Sequence, residues 1–253
     1  MIRRPSFVLI LLCLMVAAAG GALARWSYVR HGDAQLLTAD ADMIPKRPAM
    51  MAFALASAAP LYRRQCAGCH GADLKGDPRR GAPDLTDADW LYGDGRPSEI
   101  EQTITYGIRS GNPKARNLAS MPAFAQAEPY GRYHIPPLTP PEVRDVTEYL
   151  VWLEARPADA QAARRGDHIF HTNGGCYDCH GVDGGGDGAT GAADLKDRIW
   201  LYGDGSRAAI FDSIAHGRAG ACPAWINRLS AAQIRALALY IHSQARTARG
   251  PAA

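Results

Sequence analysis

Apolar side chains first gather in an unbroken run from Phe7 to Ala24, framed by Arg3-Arg4 before it and Arg25-Trp26 after it. As a helix these residues rise about 27 Å, just short of the roughly 30 Å of bilayer hydrocarbon. The run fits a single membrane anchor, with Trp26 and Tyr28 placed for the interface. Its basic start and Ala22-Leu23-Ala24 ending also fit an export signal that is cleaved to leave a soluble periplasmic chain. Either way the arginines favour the cytoplasmic side and send the remainder across the inner membrane. Residues 31–48 are largely polar and carry Pro45 and Pro48, the pattern of a spacer, after which Ala49 to Ala56 reads as helix.

Two later stripes have helical period. Val143, Val146, Tyr149, Leu150 and Leu153 share one face after Thr139-Pro140-Pro141-Glu142, a capping box. Ile234, Leu237, Tyr240 and Ile241 repeat the face after Ser230 and Gln233. Each stripe is expected to pack across the first helix of its own part of the chain.

The two parts are copies. At an offset of 110 residues Gly81-Ala82-Pro83-Asp84-Leu85 returns as Gly191-Ala192-Ala193-Asp194-Leu195, and Trp90-Leu91-Tyr92-Gly93-Asp94-Gly95 as Trp200-Leu201-Tyr202-Gly203-Asp204-Gly205. Ile100, Ile104 and Gly107 return as Ile210, Ile214 and Gly217, in short helices that stop at glycine. The expected organisation is all-α: residues 1–25 anchor or signal, 26–47 spacer, 48–155 first domain, 156–165 linker, 166–248 second domain.

Composition narrows the chemistry. A formal charge of +3 with scattered basic residues lacks the concentrated Lys/Arg surface that a nucleic-acid backbone requires. The glycines between Gly181 and Gly191 lack the lysine and hydroxyl ending of a phosphate loop, and suit a tight turn instead.

The cysteines carry the strongest signal. Cys66-Ala67-Gly68-Cys69-His70 and Cys176-Tyr177-Asp178-Cys179-His180 each place two thiols two residues apart, followed at once by an imidazole. Thiols so spaced form thioethers to haem vinyl groups, and the adjacent histidine binds the iron. A zinc knuckle would need a second Cys/His pair in each copy, and a redox dithiol would not need the histidine. Two covalently attached haem c groups are therefore expected, with His70 and His180 as proximal ligands.

The far side of each iron separates the copies. Met121, followed by Pro122, is the expected distal ligand in the first domain, where thioether sulfur raises the haem potential. Its counterpart is Cys222, in Ala221-Cys222-Pro223-Ala224-Trp225, and no methionine follows Met121. For the second iron Cys222 as thiolate, His216, or an open sixth position all stand as readings. His134 lies in an insertion from Pro129 to Pro137 absent from the second copy, a candidate docking region.

These motifs, with Trp90-Leu91-Tyr92-Gly93 and Met121-Pro122-Ala123-Phe124, resemble the class I cytochrome c domain. More narrowly they resemble the tandem form in the dihaem subunit of cbb3-type cytochrome oxidases. The resemblance implies two tandem class I cytochrome c domains after an N-terminal hydrophobic helix. It also implies periplasmic single-electron transfer between a donor and a membrane oxidase or other redox complex, without a substrate of the chain's own. Cys222 stands where that family has methionine. Cysteine-ligated haem also occurs in dihaem enzymes of sulfur oxidation such as thiosulfate dehydrogenase. The alternative is thus a dihaem oxidoreductase acting at the second haem, with Arg207 or Arg218 beside the iron.

Overall fold

Helices form where the apolar periodicity places them. The computed structural model describes residues 7–127 and 136–248, and among those residues the regular structure is helical, joined by isolated β-bridges. Helix α1 spans Phe7–Thr38 and is followed by a 3-10 turn at Ala41–Lys46. Then come α2 (Pro48–Gln65), α3 (Ala67–His70), α4 (Pro97–Tyr106), α5 (Pro140–Leu153), α6 (Ala160–Phe170), α7 (Tyr177–His180), α8 (Arg207–His216) and α9 (Ala231–Ala248). The element pattern of the first copy, α2-α3-α4, recurs as α6-α7-α8.

Local chemistry sets the ends. Thr139 and Glu142 form both bonds of the capping box that starts α5, and Ser230 and Gln233 exchange the equivalent pair before α9. Helices α4 and α8 stop at Gly107 and Gly217, whose φ values of 77° and 70° lie in the region that glycine alone enters without strain.

Two expectations fail here. Residues 31–48 are not a detached spacer. Helix α1 continues unbroken through them to Thr38, with Leu36 buried, Tyr28 edge-on to Phe53 at 5.6 Å, and Gly32 against the Phe53 ring. Arg235 of α9 donates to the Leu36 and Ala39 carbonyls at 2.9 and 3.0 Å, closing the end of α1 onto the folded head. The helix is long and apolar enough from Ile10 onward to cross a membrane.

Nor do the closing helices pack within their own copies. Helix α9 lies across α2 and α4 of the first copy, whereas α5 lies across α6 and α8 of the second. One core joins Tyr62, Leu61 and Ala58 of α2 to Leu237 and Leu239 of α9, with Tyr62 and Tyr240 in ring contact at 5.6 Å. Another joins Val143, Val146 and Leu150 of α5 to Ile169 and Phe170 of α6 and Ile210 and Ile214 of α8. The reason is visible in the connection between α5 and α6. Only residues 154–159 separate them, and a link that short makes consecutive helices antiparallel neighbours.

Candidate haem sites at the crossing of the two repeats

Each Cys-x-x-Cys-His segment is a single helical turn capped by glycine at positive φ, Gly71 and Gly181. The turn brings the histidine back beside both cysteines. His70 Nδ1 pairs with the Pro83 carbonyl at 3.2 Å, and His180 Nδ1 pairs with the Ala193 carbonyl at 2.9 Å. With Nδ1 bonded to a carbonyl it carries the proton, so Nε2 keeps the lone pair that a metal needs. Burial holds both imidazoles below the ordinary histidine range, against the opposing pull of those carbonyl bonds, which favours the neutral ligand form.

None of the four cysteines in the two Cys-x-x-Cys-His segments is in a disulfide. Burial pushes Cys66 up to about 11, with Cys222 and Cys69 adding to the effect, and pushes Cys176 up to about 12. Paired free thiols beside an oriented imidazole are the donor set that covalent haem attachment requires. The residues present fit haem c at both turns.

The distal candidates lie in loops that cross between the repeats. After α4 the chain leaves its own copy. Met121 N–H donates to the Arg218 carbonyl at 2.9 Å, and Phe124 and Ala125 donate to the Ile214 and Ala215 carbonyls at the end of α8. Met121 and Cys176 both pack against the core built from α5, α6 and α8. After α8 the chain crosses the other way. Cys222 and Ile108 exchange two backbone hydrogen bonds of 2.9 Å, and Trp225 N–H donates to the Ile104 carbonyl at 3.1 Å. Burial pushes the Cys222 thiol up to about 11, with Cys69 as the second contributor. The crossing of the loops pairs the backbone of Met121 with the second copy at Arg218 and that of Cys222 with the first copy at Ile108.

The crossing has local pseudo-twofold symmetry. Ile108 pairs with Cys222 as its repeat equivalent Arg218 pairs with Met121. Gly93 donates to Gly188, and Gly203 donates to Pro78. The Tyr92 ring lies over Gly191 and the Tyr202 ring over Gly81, leaving no space for a side chain at either glycine. At Gly107 a Cβ would meet the Cys222 carbonyl, and at Gly217 it would meet backbone of Met121 and Pro122.

Residues that the motifs did not flag hold this arrangement. Arg109 donates to the Gly220 carbonyl at 2.6 Å and to the Ala119 carbonyl at 2.9 Å, tying together the segments two residues before each distal candidate. The buried Glu154 carboxylate accepts from Trp200 Nε1 at 2.7 Å and from Arg156 at 2.5 Å. The signal for Arg109 is its place two residues after the helix-ending Gly107. Glu154 could have been found as an acid ending an apolar stripe.

The side chains of the other candidates have partners of their own. His216 is exposed, with Nδ1 bound to Asp212 at 2.8 Å. Arg207 is held by Glu148 and the Pro157 carbonyl. Arg218 lies over the Tyr202 ring with its guanidinium on Asp212. His134 and residues 129–135 of the insertion lie outside the described residues.

Residues 161–241 match the family model described as cytochrome c oxidase, cbb3-type, subunit III, and residues 55–154 match that described as cytochrome c. A cbb3-type cytochrome c oxidase subunit FixP from Bradyrhizobium sp. is 39% identical over 87% of this chain and 72% of its own length. FixP of Sinorhizobium medicae is 32% identical over 90% and 73%, and CcoP of Cereibacter sphaeroides is 35% identical over 82% and 67%. With both Cys-x-x-Cys-His turns, the N-terminal apolar helix and this likeness along most of its length, the chain belongs to the FixP/CcoP family of cbb3-type cytochrome c oxidase subunits.

Proposed function

We propose that this chain is a dihaem electron-transfer subunit of a cbb3-type oxidase, held by α1 in the inner membrane with its two cytochrome c units on the periplasmic side. Cys66 and Cys69 attach one haem c and Cys176 and Cys179 the other, with His70 and His180 binding iron through Nε2. Met121 and Cys222 supply the two distal sulfur donors. The observation that carries the reading is the matched orientation of the two imidazoles, each with Nδ1 committed to a loop carbonyl next to a free cysteine pair.

When bound, haem supplies one-electron exchange between ferric and ferrous iron. The protein's own part is to keep donor geometry fixed while charge changes. Carbonyls hold the imidazoles, and crossed backbone pairs hold the distal loops, so little has to move when an electron arrives. The family relationship supports a role without a substrate of its own. An enzyme acting at an iron beside Arg207 is not supported, because that guanidinium is bound to Glu148 at the surface.

The test is haem content and coordination in the full chain produced with haem-maturation machinery. Two haems per chain, low-spin in both oxidation states and inert to carbon monoxide, are expected. One haem per chain, or a ferrous form that binds carbon monoxide rapidly, would overturn the reading.

A further inference from the structure

The distal ligands are assigned by where the loops go, and here they go to the opposite repeat. We infer that axial coordination is exchanged between the repeats: Cys222 completes the iron of the haem attached at Cys66 and Cys69, and Met121 completes that of the haem attached at Cys176 and Cys179. The inference rests on the dihaem reading above and changes which site holds the thiolate.

Three independent observations carry it. The backbone of Cys222 is paired with Ile108, directly after the first copy's α4, while the backbone of Met121 is paired with Arg218, directly after the second copy's α8. The helices that come after these loops make the same exchange, α5 onto α6 and α8, α9 onto α2 and α4. Met121 and Cys176 border one core, whereas Cys66 borders the core that α2 shares with α9. Reversing the assignment would require breaking both pairs of backbone bonds and repacking both cores.

The chemistry then differs from the expectation drawn from repeat order. Thiolate is an anionic donor that stabilises ferric iron, and thioether is a neutral one that favours ferrous iron. The haem nearer the membrane helix in sequence becomes the low-potential one, and the second becomes the His/Met carrier. Each iron also has its two axial ligands on different repeats, so neither repeat alone builds a six-coordinate site.

Single-attachment variants separate the sites. In the full chain with Cys176→Ala and Cys179→Ala, the retained haem is expected to show the thiolate-type low-spin electron paramagnetic resonance signal. Adding Cys222→Met should abolish that signal and raise the potential of this haem. In the chain with Cys66→Ala and Cys69→Ala, Met121→Ala should convert the retained haem from low to high spin. A thiolate signal in the Cys66→Ala/Cys69→Ala chain, or in neither chain, overturns the exchange.

Because losing a haem can unfold its surroundings, the intact reduced dihaem protein supplies a second readout. The ring-current-shifted Met121 methyl should show nuclear Overhauser contacts to Phe211 and Ile214, and contacts to Leu85 and Ile104 instead would overturn the exchange. Haem stoichiometry keeps the two readings apart. Fewer than two haems in the parent chain defeats the dihaem reading, whereas two haems with unexchanged contacts defeats only the crossing.

Discussion

The two haem-attachment turns are nearly superimposable in chemistry, yet their surroundings are not. The first is enclosed by α2 and α4 and closed by α9, the last described helix of the chain. The second is enclosed by α6 and α8 and closed by α5, which precedes it. The first half thus draws its core from α2 and the distant α9, while the second draws its core from residues between Phe124 and Ala215. The difference teaches that a duplicated motif can keep its attachment chemistry while its partners are traded, so that donor identity cannot be read by counting along one repeat.

The sharpest way to break the comparison is at Glu154, which serves only the second half. Glu154→Ala leaves the Arg156 guanidinium and the Trp200 indole N–H facing a lost buried carboxylate. A loss of about 3–5 kcal/mol is expected, read by denaturant unfolding, with the Soret dichroism of the second haem lost first. Leu237→Ala does the converse. It opens a cavity between α9 and α2, where Leu237 is fully buried, and should cost about 2–5 kcal/mol. Its distinctive readout is early loss of the first haem's signal, and simultaneous loss of both would show that the halves unfold as one unit.

Gly217→Ala tests the crossing itself. The substitution strains a positive φ and drives a methyl into the backbone of Met121 and Pro122. A penalty of about 1–3 kcal/mol is expected, with a disturbed methionine-ligated haem spectrum and an intact thiolate signature.

The smallest effect concerns the interface between equivalent loops. Burial, with Asp197, Asp87 and Asp194 nearby, raises the Asp89 carboxyl to about 6. Since the native chain then holds this proton more tightly than the unfolded chain, stability falls as pH rises between about 4 and 6. Thermal unfolding should therefore occur at lower temperature at neutral pH than near pH 5, and Asp89→Asn should flatten that dependence.

Much of the architecture is legible along the chain. The apolar run predicts α1, the capping signals at Thr139 and Ser230 locate α5 and α9, and the repeat offset locates α4 and α8. Periodicity reports which face of a helix is buried and says nothing of which neighbour buries it, so the stripes of Val143 and Leu237 by themselves point to the wrong cores. The six residues between α5 and α6 hold the missing information, since a connection that short couples α5 to the helix after it. Polarity likewise misleads at residues 31–48, where Leu36 and Gly32 carry the contacts that continue α1 onto the head.

That continuity bears on how electrons reach the membrane. From Arg25 to Thr38 the helix rises about 21 Å, and Arg235 clamps its end, so the head stands on a stiff post where a Gly/Ser-rich tether would let it wander. A post fixes height and tilt above the bilayer. Such a post trades the reach of a tether for a standing orientation of the head.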